Sequence, residues 1–139
     1  MKYLLDTNAI TAILYSRTSP VLRQVRRHEN EDIGISAIVA YELYFGAFLG
    51  RQKDRNLSII DSAWFQIVEF GPKDARHAAD IRAFLASKGT PIGPYDLLIA
   101  GQARARALTL VTHNIREFRR VPGLHVVDWE RQRGPKLVT

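Results

Sequence analysis

Lys2-Tyr3-Leu4-Leu5-Asp6-Thr7-Asn8-Ala9-Ile10 joins a short apolar run to a polar stop at the start of the chain. The apolar part, centred on Leu4, is typical of a buried strand in a parallel sheet. An apolar segment of helical length follows, so Asp6 is expected between a strand and a helix. Ligands bind at this edge of open α/β sheets. Asp6 is therefore either a helix cap or a ligand-binding carboxylate.

The composition is that of one globular domain. The chain has 139 residues, of which 46% are hydrophobic, and it carries a net charge of +6 with 15 Arg among its 20 basic residues. Arg forms two-pronged contacts with phosphate, so an Arg-rich basic domain fits a polyanionic partner. The alternative is that the charge only keeps the protein soluble.

The composition and the charge pattern exclude several kinds of site and segment. The absence of cysteine excludes disulfides, thiolate zinc sites and thiol nucleophiles, and it fits a cytoplasmic location. Asp6 interrupts any apolar run that a signal peptide would need. Residues 33–50 carry a single charge, Glu42, and this charge with several Tyr and Gly predicts a buried helix, with no membrane span.

Apolar periodicity predicts strands that alternate with helices. The strands are expected at 3–5, 33–35, 65–70, 108–111 and 125–127, and the main helices at 9–15, 37–49, 51–61, 75–87 and 95–107. Ser19 with Pro20, and Ser36, are expected to start helices. This order predicts one α/β domain over residues 1–139, with a central parallel sheet of about five strands, helices on both faces and a loose tail at about 130–139.

Glu42 is the most informative single residue. Its neighbours on the helix face are all uncharged: Ile38, Val39, Phe45, Gly46 and Leu49. This stripe is expected to be buried, and burial of an unpaired carboxylate costs several kcal/mol or shifts its pKa. Glu42 would then need a cation, a network of donors or a metal. A partly exposed Glu42 at the end of the sheet is the alternative.

Two further segments place acidic residues near predicted strand ends. Asp96 follows Gly93-Pro94-Tyr95 and opens an apolar helix, where the helix dipole alone would favour it. Thr112, Asn114 and Glu117 follow the strand at 108–111, with the last two on one helical face. The simpler alternatives are that Thr112 only caps a helix and that Glu117 is a surface residue.

In a parallel sheet, Asp6, Glu42, Asp96 and Glu117 would meet at one edge. Four carboxylates raise the pKa of one another, and a hard cation relieves the repulsion. Oxygen ligands alone favour Mg²⁺ or Mn²⁺ over zinc. Such an ion activates water and stabilises displacement at phosphorus. Beside an Arg-rich surface, this pattern indicates hydrolysis of a nucleic-acid phosphodiester.

These motifs resemble those of PIN-domain ribonucleases and, more narrowly, of the VapC toxins of VapBC toxin–antitoxin modules. The resemblance covers nearly the whole chain and rests on Leu5-Asp6-Thr7-Asn8, on the segments 36–43 and 94–100, and on Leu110 to Phe118. It implies that Asp6 and Asp96 bind Mg²⁺ or Mn²⁺. It also implies further site residues: Glu42 and Glu117 in the catalytic pocket, and Asn8, Thr112 and Asn114 in support. Many PIN domains have Asp where Asn114 stands, so less negative charge is expected there.

The resemblance also implies an activity and partners. The expected activity is that of a metal-dependent endoribonuclease that cuts structured RNA, such as tRNA or rRNA, as the toxin of a type II pair. The expected partners are a VapB-like antitoxin, which alone contacts DNA, and a second copy of the chain. Candidate RNA contacts are Arg116, Arg119 and Arg120 near the site, and the face formed by Arg23, Arg26 and Arg27.

Two other classes are kept as alternatives. Haloacid-dehalogenase-like phosphatases also place an Asp after the first strand, but they usually have a second Asp where Asn8 stands and a Lys before the last acidic pair. A catalytically inert PIN-like module would keep the fold and bind RNA or protein without the chemistry.

Overall fold

The computed structural model of the chain describes residues 1–16 and 18–131. Within them the sheet consists of β1 (Tyr3–Leu5), β2 (Ile33–Ser36), β3 (Gln66–Val68), β4 (Thr109–Val111) and β5 (His125–Val127). The helices of this part of the chain are α1 (Thr7–Tyr15), α2 (Pro20–Val25), α3 (Ala37–Leu49), α4 (Lys53–Asp61), α5 (Pro72–Ser87), α6 (Pro94–Ala105) and α7 (Ile115–Phe118). A short 3₁₀ helix, Asn30–Asp32, precedes β2.

The sheet confirms the predicted fold class. Its five strands lie in the order β3-β2-β1-β4-β5, and every pair is parallel. Leu4 and Leu5 in the central strand are both fully buried. Since successive side chains of a strand point to opposite faces, both faces of the sheet are covered.

Helix starts follow from local chemistry. The side chains of Ser19 and Ser36 accept hydrogen bonds from the amides of Val21 and Ile38, as the sequence predicts. The helix expected from residue 75 instead begins at Pro72, because proline fits the first helical position, where its missing N–H is not needed.

A close approach of α5 and α6 fixes the position of α6. A Cβ atom added at Gly101 would lie 2.6 Å from the Cβ of Ala78, so only glycine fits at this crossing. Asp96 in the first turn of α6 is thereby held in place by packing further along the helix.

The predicted burial of the stripe beside Glu42 is confirmed for Val39 and wrong for the later part of α3. Val39 is fully buried, whereas Phe45 and Leu49 are 58% and 76% exposed and α3 buries Leu43 instead. The helix is apolar almost all round, so its sequence period does not specify which face is buried. Glu42 is half-buried, in agreement with the alternative of a partly exposed residue.

The chain beyond β5 stays in contact with the domain as far as the structure describes it. Trp129 is 2% exposed, and its ring stacks on that of His28 at 5.2 Å. Most of the tail predicted at 130–139 lies outside the described residues, but Glu130 and Arg131 lie within them.

None of the described helices has both the length and the apolar character needed to cross a membrane.

Candidate active site

The register of the sheet places three polar residues side by side at its carboxyl edge. Leu5 is opposite Val111, and Val111 is opposite Val127, so the next residues, Asp6, Thr112 and Asp128, follow neighbouring strands. The amide of Asp6 donates to Val111, and that of Thr112 to Val127.

Asp6 is both a helix cap and a member of the acidic group. Its Oδ1 accepts a hydrogen bond of 2.9 Å from the amide of Ala9, which caps α1. The side chain is almost fully buried, and this burial is the main reason that its pKa is raised. Hydrogen bonds from Thr112 and Ala9 oppose the rise, while the charges of Glu130 and Glu42 add to it.

Asp96 lies in the first turn of α6 and faces three other carboxylates. Burial raises its pKa to about 6, and the negative charges of Asp6, Glu117 and Glu42 contribute in that order. The structure thus brings together the four acidic residues that the sequence singled out. Helices that connect parallel strands return their amino ends to the carboxyl edge, which explains why Asp96 meets Asp6 across 90 residues of sequence.

Neutral side chains orient the other two carboxylates. Thr7 donates to Glu42 Oε1 at 2.9 Å, and Asn114 Nδ2 donates to Glu117 Oε2 at 2.9 Å. The amide of Asn114 also donates to the hydroxyl oxygen of Thr112 at 3.0 Å. The bonds from Thr7 and from the side chain of Asn114 each fix a carboxylate without neutralising its charge.

The chemistry of this group fits a divalent cation. Among residues 1–16 and 18–131, no Lys, Arg or His forms an ion pair with Asp6, Glu42, Asp96 or Glu117. All of the charged ligand atoms are oxygens, which suits Mg²⁺ or Mn²⁺. Four like charges gathered without a cation are costly, so a bound cation would stabilise the arrangement.

Asn8 and two tyrosines complete the surroundings. Asn8 is exposed, and the hydrogen bonds that Asp6 accepts come from Thr112 and Ala9 and not from Asn8. Next to Glu42 and Asp96, the rings of Tyr41 and Tyr95 lie 5.7 Å apart. A hydrogen bond with Tyr41 is the main reason that the pKa of Tyr95 is raised. The two tyrosines are not among the site residues predicted from the sequence, although each directly precedes an acidic residue.

A second polar cluster was also missed. Nδ1 of His113 lies 2.9 Å from Asp128 and 3.0 Å from Glu130, and ligand atoms of the three residues lie within 4.8 Å of one another. This spacing would suit a metal, but Arg131 lies 3.7 Å from Asp128 and balances part of the charge. The signal in the sequence was Asp128 directly after the last strand, where Asp6 follows the first.

Comparison with known proteins identifies the family. The model of the PIN domain matches residues 3–124. The tRNA(fMet)-specific endonuclease VapC of Salmonella typhimurium is 39% identical over 132 residues, which are 93% of this chain and 98% of the relative. Its counterpart of the same name from Shigella flexneri is 36% identical over 131 residues, with the same coverage of both chains.

Solved structures agree with the sequence relatives. The structure of DNA-bound VapBC from Salmonella typhimurium superposes with a TM-score of 0.87 at 36% identity, over 93% of this chain and 98% of that one. The two alternative classes, phosphatase and inert module, are not favoured by these relatives. The chain therefore belongs to the PIN-domain family, among the VapC ribonucleases of VapBC toxin–antitoxin systems.

Proposed function

We propose that this endoribonuclease depends on Mg²⁺ or Mn²⁺ and that its substrate is a structured RNA. The observation that carries the proposal is the group of four carboxylates at the carboxyl edge of the sheet, which has no cationic partner among the described residues. A divalent ion is the simplest group that stabilises this arrangement and that phosphodiester hydrolysis can use.

The four carboxylates of the group act as two pairs, and Asn8 has a role beside them. Asp6 and Asp96 hold the ion directly, and the capping bond from Ala9 keeps the carboxylate of Asp6 in place. Glu42 and Glu117 complete the pocket directly or through water. Bound there, the ion would lower the pKa of water and stabilise charge at phosphorus. Asn8, exposed at the start of α1, contacts the substrate.

Thr7 and Asn114 set the geometry of the pocket. Their hydrogen bonds fix Glu42 and Glu117 before the ion arrives, so less side-chain entropy is lost on binding. Since Asn114 is neutral, it adds no charge to the four carboxylates of the pocket, and we propose that the pocket takes one ion in the absence of RNA.

We propose tRNA as the substrate class to test first. The Salmonella and Shigella relatives carry the name tRNA(fMet)-specific endonuclease, and this chain is similar to them over 93% of its length. The net charge of +6 supports a polyanionic substrate. rRNA is the second class to examine.

We also propose a VapB-like antitoxin and a second copy of the chain as partners. The solved relatives from Salmonella typhimurium and Rickettsia felis are VapBC complexes bound to DNA, and we assign any DNA contact to the antitoxin. Exposed apolar side chains on α3 support a protein partner: Tyr41, Phe45, Phe48 and Leu49.

The test is cleavage of purified tRNA, with tRNA(fMet) and an elongator tRNA compared side by side. Cleavage is expected with Mg²⁺ or Mn²⁺, to stop with EDTA and to return when the ion is restored. New 5′ ends, mapped by primer extension, should lie at a single position.

Asp54→Asn is a suitable control for the site variant Asp96→Asn. Asp54 is exposed in the first turn of α4 and lies outside the acidic group, so the variant loses the same charge without touching the site. Full activity in excess chelator would refute metal dependence, and equal activity of Asp96→Asn and the wild type would refute the site.

A further inference from the structure

An open cavity of about 730 Å³ lies beside the acidic group, between α7 and the end of β5. Its volume is within the range of ligand-sized pockets. Three arginines and one histidine line it: Arg116, Arg119, Arg131 and His113. Ile115 and Val126 supply apolar surface in the same lining. The cavity thus combines cationic groups with an apolar wall.

The balance of charge in the lining is positive. Three guanidinium groups stand against a single carboxylate, that of Asp128. Asp128 is already engaged by His113 at 2.9 Å and by Arg131 at 3.7 Å. Arg116 and Arg119 are exposed and form no ion pair with any described residue. Two guanidinium groups are therefore available for an anion from outside.

His113 is held in a fixed orientation at the rim of the cavity. Its Nδ1 hydrogen-bonds Oδ2 of Asp128 at 2.9 Å and lies 3.0 Å from Oε2 of Glu130. The other ring nitrogen, Nε2, is not hydrogen-bonded to any described residue. An imidazole held this way presents one donor or acceptor to a ligand without further loss of side-chain entropy.

The cavity and the acidic group share a wall. Asn114 lines the cavity, and its side chain holds Glu117 of the acidic group at 2.9 Å. Its amide bonds to Thr112, which in turn hydrogen-bonds Asp6. The cavity therefore adjoins the acidic group through Asn114.

We propose that this cavity is a subsite for the RNA strand next to the cleaved bond. Arg116 and Arg119 bind a backbone phosphate there, His113 contributes through Nε2, and the apolar wall accepts a ribose or base. The inference rests on the proposed function, since it assigns a second contact region to the same RNA. It also separates Arg119 from its neighbour Arg120, which is exposed but does not line the cavity.

Binding of a fluorescein-labelled single-stranded RNA, measured by anisotropy in EDTA over a range of KCl concentrations, tests the proposal. For single strands, each lost phosphate contact reduces the steepness of the slope of log K against log[salt] by about 0.7. The slope for Arg119→Ala is expected to be less steep than that of the wild type by about this amount. Arg76 is exposed on α5 and does not line the cavity, so Arg76→Ala is the control that removes the same charge outside the cavity.

Arg120→Ala is the discriminating comparison, because it removes an adjacent charge outside the cavity. The proposal requires a larger loss of slope for Arg119→Ala than for either Arg76→Ala or Arg120→Ala. It also requires a higher KM for RNA cleavage with Mg²⁺, with a smaller change in kcat. Equal slopes for Arg119→Ala and Arg76→Ala, or an equal or larger loss for Arg120→Ala, would overturn it.

Two more outcomes separate the possible failures. A poly-glutamate peptide that competes with the RNA and depends equally on Arg119 would overturn the assignment to RNA in favour of an acidic protein segment. If the wild-type protein neither binds nor cleaves RNA, the proposed function fails together with the subsite. If the wild type cleaves RNA and the Arg119 and Arg76 variants behave alike, only the subsite fails.

Discussion

Two aspartates in the same local sequence have opposite surroundings. Asp74 and Asp96 each occupy the third position of a helix that opens with Gly-Pro-X-Asp. Asp74 is 1% exposed, accepts from the amide of Gly71 at 2.8 Å and pairs with Arg106 at 2.9 and 3.2 Å. Asp96 faces three carboxylates and has no cationic partner among the described residues.

The difference shows how one motif serves two purposes. The charge of Asp74 is neutralised by Arg106 at the end of α6, so this ion pair joins α5 to α6. Arg106 also donates to the carbonyl oxygen of Glu69. The charge of Asp96 has no such partner among the described residues, and in the proposed function a divalent cation balances it. A buried carboxylate paired within the fold contributes to structure, and one left unpaired beside other carboxylates indicates a functional site.

Asp96→Asn should produce the largest effect and the sharpest contrast. We expect cleavage of RNA to fall by more than about 100-fold, because one ligand of the ion is lost. Asp74→Asn is the matched control, since it makes the same change in the same motif, and its folded fraction should cleave at the wild-type rate. Equal losses of kcat in the two variants would abolish the distinction between the aspartates.

For stability, the order of the two variants should reverse. Asp74→Asn removes a buried carboxylate and leaves Arg106 without its partner, so the free energy of unfolding should fall by about 2 kcal/mol. Asp96→Asn should cause no loss at neutral pH. Urea unfolding followed by circular dichroism measures both. Loss of stability in the Asp96 variant alone would contradict the structural role of Asp74.

Thr7→Val tests whether the neutral hydrogen bonds of the acidic group matter. Glu42 would lose the donor that orients it, and we expect the concentration of Mg²⁺ needed for half-maximal cleavage to rise about tenfold. Thr7→Ser keeps the hydroxyl and should behave like the wild type. If the valine and serine variants need the same Mg²⁺ concentration, the bond does not orient a site residue.

The smallest expected effect is a dependence of stability on pH in metal-free protein. The pKa of Asp96 is about 6 in the folded chain against an ordinary value of 3.8, so the folded state binds more protons between these pH values. The stability that proton binding by Asp96 contributes is therefore lost as the pH rises from 3.8 to about 6. Because the side chain is partly exposed, we expect about 1 kcal/mol.

Asp96→Asn isolates this contribution. In EDTA, the variant should equal the wild type in stability near pH 4 and exceed it by about 1 kcal/mol at pH 7.5. Addition of Mg²⁺ at pH 7.5 should raise the melting temperature of the wild type only. A constant difference in stability between the two proteins across this pH range would show that the pKa of Asp96 is not raised in the folded chain.

Much of the fold could be predicted from the sequence. The strands, the serine caps and the parallel order follow from apolar period, cap chemistry and the alternation of elements. The four acidic residues could be named because each lies just after a strand or in a helix beside one. The buried face of α3 could not be predicted, since that helix is apolar on nearly all sides.

Other parts of the site depend on contacts between distant segments. Asp6 was expected to be either a cap or a site residue, and its one side chain caps α1 while facing the other carboxylates. The cluster of His113 with Asp128 and Glu130 joins residues on either side of α7 and β5. The local hydrophobic pattern cannot predict that these residues lie together, because their contact depends on the register of β4 against β5.

The two Gly-Pro-X-Asp motifs show what the local sequence determines and what depends on the tertiary structure. Local chemistry explains why a helix starts at each proline with an aspartate in its first turn, although the sequence predicted these helices from residues 75 and 95. Only the packing of α5 against α6 brought Arg106 to Asp74, and only the parallel sheet brought Asp6 to Asp96. Propensities act over a few residues, whereas the field at a carboxylate is set by every charge that the fold brings near it.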